Sequence, residues 1–135
     1  MKPLSHFDQL LQAAASQPEP QRLLFVFATA ELPADATPAE RKRFHAGGGG
    51  ALAPLMCVDK SPAELAGFDA LLAESHEAGP PWQVLFAAGL SGSGGRPPSA
   101  AQVDQALQGL VQRVRGGRID GLLALDASGE ALHFG

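Results

Sequence analysis

The strongest constraint on this chain is an alternation of short apolar runs with well-marked helix starts. Four runs are strand-sized: Arg22–Ala30 (RLLFVFATA), Ala51–Val58 (ALAPLMCV), Trp82–Leu90 (WQVLFAAGL) and Ile119–Leu125 (IDGLLAL). The first is apolar on both faces and rich in Phe and Val, as a central strand covered on both sides must be. Pro54 inside the second run cannot donate to a ladder, which assigns that strand to an edge or a bulge. Between the runs stand Thr37-Pro38-Ala39-Glu40, Ser61-Pro62-Ala63-Glu64 and Ser99-Ala100-Ala101-Gln102. Each places a capping hydroxyl three residues before Glu or Gln, and the first two add Pro at the opening helical position.

Further signals complete the pattern. Ser5 caps a first helix to about Ser16, with Phe7, Leu10, Leu11 and Ala14 on one face, and Gln17-Pro18-Glu19-Pro20 ends it. The box at Ser61 opens a helix carrying Leu65, Phe68, Leu71 and Leu72, ended by Gly79-Pro80-Pro81. The box at Ser99 opens the clearest helix, with a buried stripe of Val103, Leu107, Leu110, Val111 and Val114. Leu32-Pro33 turns the chain, and Gly47–Gly50 stops the short basic helix that begins at Thr37. Asp126-Ala127-Ser128-Gly129 is turn chemistry, with Ala131–Phe134 as a short hairpin partner.

The expected fold class is therefore α/β. One domain spans residues 1–135, a sandwich of four to five strands in a mixed sheet alternating with three to four helices. An internal echo accompanies it. RLLFVFATA resembles WQVLFAAGL, and Leu55-Met56-Cys57-Val58-Asp59 resembles Leu122-Leu123-Ala124-Leu125-Asp126. A duplicated strand–helix–strand unit would produce this, and so would the ordinary geometry of βαβ units, which is the commoner source of such likeness.

Composition excludes several classes of function. A net charge of −4 offers no electrostatic footprint for nucleic acid or an anionic membrane. No apolar stretch approaches the ~18 residues a membrane span requires. The amphipathic start Met1–Asp8 lacks the apolar core of a signal peptide. With Cys57 as the lone cysteine no internal disulfide forms, and a cytoplasmic setting is expected.

Candidate chemistry centres on the loop Ser91-Gly92-Ser93-Gly94-Gly95-Arg96. It follows a strand and precedes a helix, where open α/β sheets bind ligands. Ser91, Ser93, Gly94, Gly95 and Arg96 are the candidate ligand-binding residues, for a phosphate-type anion held by backbone N–H groups and the guanidinium. The segment matches neither the dinucleotide fingerprint nor the P-loop, and Pro97 and Pro98 remove two donors. A mobile surface loop is the weightier reading. Arg41-Lys42-Arg43 reads as a solvated helix face. Cys57 reads as a small buried hydrophobe rather than a reactive thiol. His6, His45, His76 and His133 are scattered without metal-ligand spacing, so no metal and no cofactor are expected. Ser75 and His76 are helix neighbours that diverge and form no nucleophile–base pair. Asp59 and Asp126, each just after a strand, read as turn or capping residues rather than active-site carboxylates.

Residues Pro18–Phe27 (PEPQRLLFVF), Gly49–Lys60 (GGALAPLMCVDK) and Leu90–Arg96 (LSGSGGR) resemble a family of short proteobacterial proteins, some of which carry the label "ribonucleotide reductase subunit alpha". The resemblance spans nearly the whole chain and brings no catalytic residues with it. The reductase reaction needs a radical-bearing cysteine and a redox pair, and Cys57 alone cannot supply them. The expected function is a non-catalytic interaction or regulatory module, with a homo-oligomer or another protein as partner. An anion-binding domain or enzyme built on 91–96 is the alternative.

Overall fold

A computed structural model describes residues 5–31, 35–45 and 51–132. The expected turn at Leu32-Pro33, the Gly47–Gly50 stop, and the segments Met1–Leu4 and His133–Gly135 lie outside the described residues.

Among the described residues four α-helices and four strands follow one another: α1 (His6–Ala15), β1 (Gln21–Glu31), α2 (Pro38–His45), β2 (Ala51–Lys60), α3 (Phe68–Ala78), β3 (Val84–Ser91), α4 (Ala100–Arg115) and β4 (Leu123–Leu125). The strands form one sheet in the order β2-β1-β3-β4. This is the expected α/β sandwich. All three ladders are antiparallel, however, where a mixed sheet was expected. The strand–helix–strand alternation had suggested parallel neighbours. Here β2 and β3 flank β1 and run parallel to each other without pairing, so every hydrogen-bonded pair is antiparallel.

β1 is central, and Leu23 to Ala28 are all buried. Its odd-numbered residues face α1 and α3, in a cluster of Phe7, Leu23, Phe25, Phe27, Leu71, Leu85 and others. Its even-numbered residues face α4, in a second cluster with Val84, Phe86, Val103, Leu110 and Val114. Fully burying one such Phe or Leu contributes roughly 1.5–3 kcal/mol before entropy is counted. The stripe read from the α4 sequence is the face that packs: Val103, Leu110 and Val114 are buried, and Leu107 and Val111 join the cluster at its margin.

Start signals hold where hydrogen bonds can be checked. Ser5 accepts from the Asp8 N–H at 3.1 Å. In the boxes at Thr37 and Ser99 the hydroxyl accepts from the third residue's N–H, and that residue's side chain accepts in return. The Ser61 box is also formed, but only a single 3-10 turn (Pro62–Glu64) follows it. α3 begins later, at Phe68, after Gly67 takes φ 141°. A capping box specifies a first turn and not a length. Here Leu65 leaves helical geometry to pack on the α1–α3 cluster.

The last strand is shorter than its apolar run. Residues 117–122 turn, and only Leu123–Leu125 pair with β3. Beyond the Asp126 turn the chain returns: Leu125 bridges Ala131, and Leu132 N–H donates to the Ala124 carbonyl at 2.8 Å. The expected hairpin is thus present as far as the described residues reach.

Candidate functional site

The Gly/Ser segment after β3 is a closed turn, not an open cradle or a loose loop. Ser93 and Arg96 exchange both backbone hydrogen bonds at 3.0 Å. Gly94 and Gly95 have φ of 60° and 77°, as the two central residues of a type I′ turn require. At Gly92 a Cβ would meet the Arg96 carbonyl oxygen at 1.9 Å, so no side chain fits there.

Two of the turn's backbone donors already have acceptors. Gly95 N–H donates to Glu19 Oε2 at 2.7 Å, and Gly92 N–H donates to the Pro20 carbonyl at 2.8 Å. Ser91 Oγ accepts from Gln21 Nε2 at 2.9 Å. The antiparallel β1–β3 ladder is the cause. It pairs Gln21 with Ser91, so the chain entering β1 lies against the turn leaving β3. In a parallel sheet that space would be a mouth between strand ends. Here Glu19 fills it with the protein's own carboxylate. Ser93, Gly94, Gly95 and Arg96 are exposed, and no ion pair to Arg96 occurs among the described residues. Beside the turn an open groove of about 450 Å³ is lined by Glu19, Arg22, Pro62, Gly95 and Pro97.

Arg22 at the start of β1 was not singled out in the sequence, yet it organises the nearby charges. Its Nε donates to Asp59 at 2.6 Å and its Nη1 to Glu64 at 3.0 Å. The hydrogen bond to Asp59 raises the guanidinium pKa further above its usual value. Asp59, read as a turn or cap, is therefore an ion-pair partner. Glu64 is held below the usual carboxylate range chiefly by its hydrogen bonds with Ser61. Lys60 reaches Glu74 at 2.8 Å. Asp126 does act as the turn residue: its Oδ1 accepts from Ser128 Oγ at 2.6 Å and from the Ser128 and Glu130 N–H groups. The Ser128 hydroxyl bond is the main reason its pKa is lowered.

Cys57 corrects an expectation: it is exposed, not a buried hydrophobe. It lies on β2, at the sheet edge, and pairs with the fully buried Val26. Ser75 is buried, as no sequence signal indicated, and accepts from Trp82 Nε1 at 2.8 Å. It is a structural partner to the indole. The His76 ring lies 6.5 Å from the same indole. No group of three or more His, Cys, Asp or Glu could hold a metal among the described residues. No helix there is long and apolar enough to cross a membrane.

What the fold and these clusters define is an antiparallel sheet covered by helices on both faces, with its two edges built differently. No family model, no curated protein and no solved structure matches this chain.

Proposed function

We propose that this protein is a non-catalytic interaction or regulatory module whose contact surface is the outer edge of β2. One contrast carries the reading. β4 has three residues, and its outer side is partly closed by the return at Ala131 and Leu132. β2 has ten residues, is the outermost strand, and carries no charge from Ala51 to Val58. Long uncharged edges template pairing with another strand, and proteins commonly blunt them with charges, prolines or bulges. On β2 the blunting consists of Pro54 and the register shift opposite Phe27 and Ala28. Strand addition at such an edge draws affinity from the backbone and specificity from alternate side chains. The partner is an extended segment, of a second copy or of another protein. The exposed, unpaired thiol suits a reducing, cytoplasmic setting.

Sedimentation velocity over a wide concentration range tests the reading, together with recovery of partners from lysate. Cys57→Lys places a charge mid-edge at an exposed site and should weaken association while leaving the monomer folded. A concentration-independent monomer that recovers no partner would refute the proposal.

A further inference from the structure

We infer that the protein is two copies of one α-β-α-β unit, residues 5–60 and 66–132, joined across a two-fold axis through the Val26–Phe86 pair. The β1–β3 ladder is then a self-recognition surface, and the partner it fits is a second copy of the same unit.

The register carries the inference. Matching RLLFVFATA to WQVLFAAGL sets Val26 against Phe86, sixty positions later. Those two residues are also paired with each other across the β1–β3 ladder. A two-fold axis normal to the sheet through that pair exchanges the neighbouring pairs, as a local axis of any antiparallel ladder does, so the sequence match only fixes where the axis stands. Phe25–Ala87 becomes Phe27–Leu85, and Leu24–Ala88 becomes Ala28–Val84, all of them observed pairs. The match of Leu55–Asp59 to Leu122–Asp126 is a separate comparison, and it agrees. Phe25–Val58, Val26–Cys57 and Phe27–Met56 map onto Leu85–Leu125, Phe86–Ala124 and Ala87–Leu123. These last three are the whole β3–β4 ladder. Slipping either match by one residue would put every side chain on the wrong face, so recurrent βαβ geometry does not produce this agreement.

Helices α1 and α3 follow the same operation. An axis normal to the sheet keeps each layer on its own face, and α1 and α3 share one face. Their sequences align as Phe7-Asp8-x-Leu10-Leu11 and Phe68-Asp69-x-Leu71-Leu72. The matched Phe7 and Phe68 touch each other, ring centroids 5.6 Å apart, as equivalent residues beside an axis must. The helices that follow β1 and β3 open with the matched boxes Thr37–Glu40 and Ser99–Gln102. The unit boundaries also meet: Ser5 and His6, Gly67 and Phe68, and Ser128 and Gly129 line one cleft. The end of β4 therefore stands near the start of α1.

A circular permutant tests the equivalence. It opens at Phe68, runs to Ala127, which the register matches to Lys60, and re-enters at Phe7 through a copy of Ser61–Gly67, the natural connection from β2 to α3. Chains with neighbouring ends tolerate permutation generally, so the discriminating element is that copied connection. It should serve the other junction unchanged, giving cooperative unfolding with Tm within about 10 °C of the parent. Folding only when the junction is a longer Gly/Ser linker, or with neither linker, would overturn the equivalence. A crystal structure of the parent gives the second measurement. The halves should overlay by a rotation near a half turn, with Val26 on Phe86 and Cys57 on Ala124. A best overlay at another register or rotation would overturn the inference regardless of the permutant.

Discussion

Removing the acceptor of the Trp82 indole gives a sharp test of how this core is held. Trp82 is 7% exposed and Ser75 is 3% exposed, and the Nε1–Oγ distance is 2.8 Å. Ser75 Oγ also donates to the Leu72 carbonyl at 2.6 Å. In Ser75→Ala the indole N–H keeps its burial and loses its partner. Leaving a buried donor unsatisfied costs about 1–3 kcal/mol. Trp82→Phe removes that donor, so the serine hydroxyl keeps its carbonyl and nothing polar is orphaned. Its cost is the lost packing on Phe27, whose ring lies edge-on at 5.1 Å, again roughly 1–3 kcal/mol. Adding Ser75→Ala to Trp82→Phe should therefore cost little, because the group it would orphan is gone. The double-mutant cycle should show a coupling of about 1–2 kcal/mol. Urea unfolding by linear extrapolation measures it, with Ser75→Ala lowering the midpoint by roughly 1 M. Costs that add within about 0.5 kcal/mol would refute the reasoning, since the hydrogen bond would then contribute nothing specific.

Three other expectations concern turns and charges. Gly92→Ala drives a Cβ into the Arg96 carbonyl and opens the turn, costing about 1–3 kcal/mol for the bonds lost. Gly94→Ala meets open space and costs roughly 1–2 kcal/mol for its left-handed backbone, so a larger thermal shift in Gly94→Ala than in Gly92→Ala would contradict this reading. Asp126 has a lowered pKa when folded, so its contribution is present above its unfolded pKa and is lost as pH falls through the folded value. Ser128→Ala should flatten the acid-side loss of stability measured by urea titration at a series of pH values, and an unchanged slope would count against that linkage. Because Glu19 occupies the Gly95 N–H, millimolar phosphate should leave the Gly94–Arg96 amides unmoved in NMR spectra of the wild type and shift Gly95 in Glu19→Ala. A wild-type shift at the same concentration would favour the anion-binding reading.

How much of this was legible in the chain depended on the distance over which each signal acts. Period and burial are local. Val103, Leu110 and Val114 repeat at helical spacing because one face must leave water, and Leu23–Ala28 lack polar residues because both faces do. Capping is local as well, which is why the hydroxyl–carboxylate and hydroxyl–amide boxes at Thr37, Ser61 and Ser99 all form. Length is not local: the Ser61 box closes one turn, and the position of Leu65 in the core decides where helix resumes.

The candidate site was read as a mobile loop or an anion cradle, and the structure makes it a tight turn. Two adjacent glycines between Ser93 and Arg96 specify positive φ and hence a tight reversal. Nothing within that segment says that Glu19, far away in sequence, takes the amide an anion would use. Cys57 sits in an apolar run and looks like a core residue, yet it is exposed because its strand is at the rim of the sheet. Sequence by itself determined which stretches are strand or helix and which faces shun water, since those follow from side-chain period and local hydrogen bonding. Only the tertiary structure decided which strands are neighbours, in which direction and register they pair, and which strands end the sheet. Those depend on contacts between residues far apart in the chain, and no local pattern encodes them.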